Sequence, residues 1–80
     1  MESRVWQWAV EDAFNPVYDA TASAEGVVYY CEIQGPFCGY DHVATQTWDE
    51  LLNDGPPPKV HMPSTMAAEL RAFGLALRTP

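Results

Sequence analysis

Three consecutive prolines, Pro56-Pro57-Pro58, follow directly on Asn53-Asp54-Gly55 and constrain this chain more than any other feature. Proline has no amide hydrogen to donate and its ring clashes with the preceding turn, so neither a continuous helix nor a central strand can cross this point. The run predicts a stiff extended spacer. After it, Ser64 or Thr65 can cap a helix that runs to Arg78. Met66, Leu70, Phe73 and Leu77 recur there at helical spacing, and Ala67 and Gly74 allow close packing beside them. Arg71 and Arg78 suit the negative end of that helix's dipole. Before the spacer, Thr47-Trp48-Asp49-Glu50 has the form of a capping box and predicts a short helix that stops at Asn53-Asp54-Gly55.

The rest of the chain reads mainly as strand. From Val5 the residues alternate, with Trp6, Trp8 and Val10 on one face and Gln7 and Ala9 on the other, which predicts a first strand. Val27 to Gln34 is β-branched and aromatic, enters after Glu25-Gly26 and leaves through Gly35-Pro36. Its period-two faces put Val27, Tyr29, Cys31 and Ile33 toward a core and Val28, Tyr30, Glu32 and Gln34 toward solvent. Phe37 to Tyr40 predicts a hairpin loop and Asp41 to Gln46 a third strand paired with the second. Between Glu11 and Gly26, Asn15-Pro16 can open a short helix or mark a turn before an irregular strand, and the reading favours a short helix or loop. The expected fold is a small single α+β domain over residues 1–80. It has about three mainly antiparallel strands, the C-terminal helix packed on the sheet and a short second helix at its edge.

At 80 residues such a domain buries only about 60% of its unfolded surface. The 48% of hydrophobic residues nevertheless suffices for a packed core. Met1-Glu2-Ser3-Arg4 is not a basic leader and the longest apolar run, Val27 to Cys31, is far too short to span a bilayer, so a cytoplasmic protein is expected. Two cysteines, Cys31 and Cys38, are fewer than a small secreted domain usually carries, which predicts reduced thiols.

Eleven carboxylates against four Lys or Arg give a formal net charge of −7, and ten of those acids with a single base lie in residues 1 to 58. This field repels phosphate and anionic lipid and attracts cationic surfaces, so direct nucleic-acid binding is disfavoured and a basic protein partner is expected. Catalytic constellations are weak by comparison. Cys31, Cys38, His42 and His61 lack the tight spacing of a structural zinc site. A Cys38–His42 pair has no recognisable orienting group. Glu11-Asp12 and Asp49-Glu50 are sequence neighbours and diverge, and the five scattered glycines form no phosphate loop. No cofactor, metal or catalytic residue is therefore expected. What remains is an acidic and aromatic surface made of Tyr30, Glu32, Tyr40, Asp41, Asp49, Glu50 and Asp54, where tyrosines would anchor a partner and carboxylates steer it.

From Met1-Glu2-Ser3-Arg4 onward, this very short, acidic, aromatic-bearing chain without a catalytic motif resembles the phage-encoded anti-CRISPR proteins, type I-C inhibitors among them. The resemblance implies a stoichiometric inhibitor in a bacterial host cell that binds the multi-subunit surveillance complex or its recruited nuclease. In one form of that expectation Glu32, Asp41, Asp49, Glu50 and Asp54 occupy Lys/Arg sites that otherwise hold target-DNA phosphates. In another, apolar surface blocks a subunit contact. The alternative class is an acidic antitoxin-like or phage accessory protein that binds another basic protein.

Overall fold

A computed structural model of the chain describes residues 3–11, 16–32 and 39–78. It is an α+β fold with four strands rather than three: β1 Arg4–Ala9, β2 Val17–Ser23, β3 Gly26–Glu32 and β4 Tyr40–Gln46. Helix α1 spans Trp48–Asp54, a 3₁₀ turn spans Pro58–Val60, and helix α2 spans Ser64–Arg78. The sheet order is β1-β2-β3-β4 with every neighbour antiparallel, a simple meander.

The added strand is β2, in the segment where a short helix or loop was expected. Its register explains the difference. Ala20 lies between Trp6 on β1 and Tyr29 on β3, and Ala22 lies beside Val27 on β3. Large neighbours fill the space above these alanines, so a strand of weak intrinsic propensity is held by its partners. Asn15 lies outside the described residues, and Pro16 precedes β2, its carbonyl accepting from the Val10 amide at 3.0 Å. At the other end Ser23 pairs with Gly26, leaving Ala24-Glu25 as a two-residue turn.

The core lies on one face of the sheet. Trp6, Trp8, Ala20, Ala22, Val27 and Tyr29 come from the strands, Trp48 and Leu51 from α1, Val60 from the 3₁₀ turn and Leu70 from α2. Met66, Phe73 and Leu77 pack against this cluster as the helical spacing predicted. Trp6 meets Phe73 edge-on at 5.7 Å while the Arg4 guanidinium lies over the Trp6 ring and bridges to Glu69, so β1 is fastened to α2 from two sides. Gly74 permits the closest approach: a Cβ there would lie 2.4 Å from Cε3 of Trp48.

The capping box forms as read, with the Glu50 amide donating to Thr47 Oγ1 and the Thr47 amide to Glu50 Oε1. Gly55 closes α1 at φ 78, its amide reaching the Leu51 carbonyl at 2.8 Å. Two expectations are corrected nearby. The proline run is not extended throughout, because Pro58 opens the 3₁₀ turn, where its fixed φ suits a first helical position. That turn buries Val60, whose carbonyl accepts from Trp8 Nε1 at 2.9 Å. Ser64 and Thr65 lie inside the first turn of α2 instead of before it, the Ala67 amide bonding to the Pro63 carbonyl. Among the described residues no helix is long and apolar enough to cross a membrane.

Candidate functional site

Both helices and the 3₁₀ turn pack on the Trp6 face, and among the described residues no helix covers the other. Three rows of side chains run across that open face. Val5, Thr21, Val28 and Thr45 form one row, Gln7, Asp19, Tyr30 and His42 the next, and Ala9, Val17, Glu32 and Tyr40 the third.

A bulge puts the β4 members there. Tyr29 pairs with Ala44 but Tyr30 pairs with His42, so Val43 is an extra residue on β4. In a regular ladder Tyr30 would face Val43, and His42 and Tyr40 would fall on the helix side, because strand side chains alternate with a period of two. The extra residue returns both to the open face. Tyr40 then stacks on Tyr30 with ring centroids 4.8 Å apart and planes 8° from parallel. His42 stands edge-on to Tyr30 at 5.7 Å, its Nε2 within 2.7 Å of Thr45 Oγ1. The Tyr40 hydroxyl reaches across β3 to Asp19 on β2, 2.9 Å from Oδ1 and 2.8 Å from Oδ2. At the tip of the Tyr40 ring Asp19 is 8% exposed, whereas Tyr40 is 57% exposed.

The hydrogen bond to Asp19, followed by desolvation and nearby negative charge, pushes the Tyr40 hydroxyl from 10.0 up to about 12. A raised phenol favours the neutral form in the folded state. Its stabilisation is fully present below the unfolded pKa of about 10 and is lost as pH rises through the folded value of about 12. Alkaline titration of tyrosinate absorbance should therefore show Tyr40 ionising late, and Asp19→Asn should return it toward the ordinary range. Unchanged titration in that variant would contradict the contact. Tyr29 is also raised, but by burial, and its hydroxyl donates to Gln46 Oε1 at 2.7 Å inside the core.

The residues expected to form one acidic surface separate into groups. Tyr30, Glu32 and Tyr40 meet on the open face. Asp41 pairs with Cys31 and is exposed on the opposite face. Asp49, Glu50 and Asp54 lie on α1, beyond the far end of β4, which at about 3.3 Å per residue puts roughly 20 Å of strand between them and Tyr40. Asp49 is bridged to Arg78 at 2.6 Å, Glu50 is engaged in the capping box, and Asp54 is exposed as the last residue of α1. Sequence reasoning missed Asp19, which lies in the segment not read as strand, and assigned His42 no role. The signal for Asp19 was the pattern Val17-Tyr18-Asp19-Ala20-Thr21 before a two-residue turn, which places it beside Tyr30 once the hairpin is drawn.

Other chemistry is sparse. Among the described residues no three His, Cys, Asp or Glu side chains are grouped to hold a metal ion. Cys31 is half-buried on β3, Cys38 lies outside the described residues, and His61 stands edge-on to Tyr18 at 6.2 Å. A shallow groove of about 390 Å³ between α1 and α2 is lined by Leu51, Pro56, Ala67, Ala72 and Leu75, with Arg71 as its cation. No protein-family model, curated protein sequence or solved structure matches the chain.

Proposed function

We propose that this protein is a stoichiometric inhibitor that binds a CRISPR surveillance complex of the Cascade type and blocks its hold on target DNA, acting by binding and not by catalysis. The open sheet face makes the contact. The observation that carries this reading is a stacked tyrosine pair hydrogen-bonded to a buried carboxylate, with Glu32 beside it, on a face that no described helix covers. Aromatic rings supply desolvated contact area and carboxylates select a cationic surface, the kind that otherwise holds DNA phosphates. The net charge of −7 steers that encounter.

The test is capture of a purified type I-C surveillance complex by the tagged protein, followed by a gel-shift of the captured complex on target DNA. A stable complex that no longer shifts DNA supports the proposal. A complex that still shifts DNA moves the block to nuclease recruitment, and no capture discards the CRISPR reading in favour of another basic partner, as for an antitoxin-like protein. Within a complex that forms, Glu32→Lys should weaken binding roughly tenfold at low ionic strength and much less at high salt, because screening removes the steering contribution. Equal losses at all salt concentrations would count against an electrostatic contact.

A further inference from the structure

We infer that the Tyr30–Tyr40–Asp19 arrangement is an arginine-accepting site held closed by the protein's own Tyr40. An arginine of the partner displaces the Tyr40 phenol, stacks on Tyr30 and takes both oxygens of Asp19. This names the anchor through which the face described above engages its partner, and it rests on that reading.

Asp19 carries the first part of the argument. A carboxylate has about four acceptor positions, and burial makes each unfilled one costly. Among the described residues Asp19 receives one donor, the Tyr40 hydroxyl, whose single proton is shared between both oxygens. A group 8% exposed is therefore under-supplied with donors.

The shape of the slot carries the second. Tyr40 is a flat group lying nearly parallel to Tyr30 at 4.8 Å, with its polar tip almost equally far from the two carboxylate oxygens. A guanidinium is also flat, stacks on aromatic faces and presents paired N–H groups that match a carboxylate bidentately. Where Tyr40 offers one proton, it would offer two and a full positive charge. Lysine, a compact point charge, fits the carboxylate but not the stack. Tyr40 is also the group best placed to leave, because it is 57% exposed and opens β4, one of the two edge strands of the sheet.

Charge completes the case. Asp19 and Glu32 both belong to this face, no Lys or Arg of the described chain does, and His42, the one other ionisable base there, is turned to Thr45 Oγ1. Arg4 is bridged to Glu69 and Arg78 to Asp49, Lys59 belongs to the 3₁₀ turn, and Arg71 lines the groove between the helices. A permanent positive charge on this face therefore comes from a partner.

The experiment titrates the full chain into a dye-labelled oligo-arginine peptide and its oligo-lysine counterpart at one ionic strength, read by fluorescence anisotropy. Wild type should prefer arginine by roughly fivefold or more, and Asp19→Asn should remove the preference. Tyr40→Phe should tighten arginine binding roughly three- to tenfold, because the competing hydroxyl is gone while the ring remains. Opposite signs for the two variants separate displacement from a structural role, in which both would weaken binding. Equal binding of the two peptides, wild-type binding by Asp19→Asn, or weaker binding by Tyr40→Phe would each overturn the inference. If Glu32→Lys impairs capture of the surveillance complex while the arginine preference is absent, the arginine site fails and the inhibitor reading stands. If the preference and its variants behave as stated but no complex is captured, the site stands and its partner is another arginine-bearing protein.

Discussion

Trp48→Ala should destabilise the protein by about 3–5 kcal/mol, the range for removing a large buried aromatic side chain. Trp48 is nearly buried and joins three parts of the fold. Its Nε1 donates to the Ser23 carbonyl at the β2–β3 turn, its ring lies 6.1 Å from that of Phe73, and its six-membered edge rests on Gly74 of α2. Alanine would open a cavity between the helices and leave the Ser23 carbonyl without that donor. In a domain of this size each kcal/mol moves the midpoint by about 4–8 °C, so thermal unfolding followed by circular dichroism should fall by at least ~12 °C. A loss of under about 1 kcal/mol would mean that the helices do not rely on this contact. The partner position sharpens the test. In the wild type Gly74→Ala drives a methyl into the Trp48 ring and should cost about 1–3 kcal/mol. With Trp48 already removed, the same substitution should become neutral or stabilising by up to about 1 kcal/mol, because alanine is the better helix former.

The features readable in the sequence are those whose physics is local. The Thr47–Glu50 capping box needs only four consecutive residues, and the stripe Met66, Leu70, Phe73, Leu77 needs only a period. The faces of β3 were equally plain, because Val27 and Tyr29 carry apolar bulk inward and Glu32 ends the outward row. What escaped depends on neighbours distant in the chain. In β2 the inward positions are Ala20 and Ala22, small because Trp6 and Tyr29 occupy the space beside Ala20, so the segment lacks the apolar alternation by which a strand is recognised. The bulge at Val43 leaves no local mark either, yet it decides which face Tyr40 and His42 occupy. Tyr30, Tyr40 and Glu32 could be nominated from residue type alone. Asp19, which turns a tyrosine stack into a site, becomes visible only when β2 is laid beside β3.

Gly26→Ala should be comparably damaging, at about 2–4 kcal/mol, because two penalties coincide at one atom. Gly26 has φ 140, a region that side-chain-bearing residues rarely adopt, and a Cβ there would lie 2.4 Å from the backbone oxygen of Gln46. A flexible side chain could swing aside, but this carbonyl belongs to the last residue of β4, two residues before α1, and can move only if the strand moves. The neighbouring pair, Val27 with Gln46, begins the β3–β4 ladder, and Gln46 is fixed from both sides, accepting from the Tyr29 hydroxyl and donating to the Gly55 carbonyl. Pushing Gln46 away therefore disturbs the start of the register that ends with Tyr40 stacked on Tyr30. Stability and binding surface are coupled through this one glycine. The variant should unfold at markedly lower denaturant concentration, and in whatever fraction stays folded Tyr40 should lose its late ionisation as its hydroxyl leaves Asp19. A Gly26→Ala protein with wild-type stability and an unchanged Tyr40 titration would show that β3 and β4 can separate at this end without moving the tyrosine pair. The register would then be set by the Val43 bulge alone.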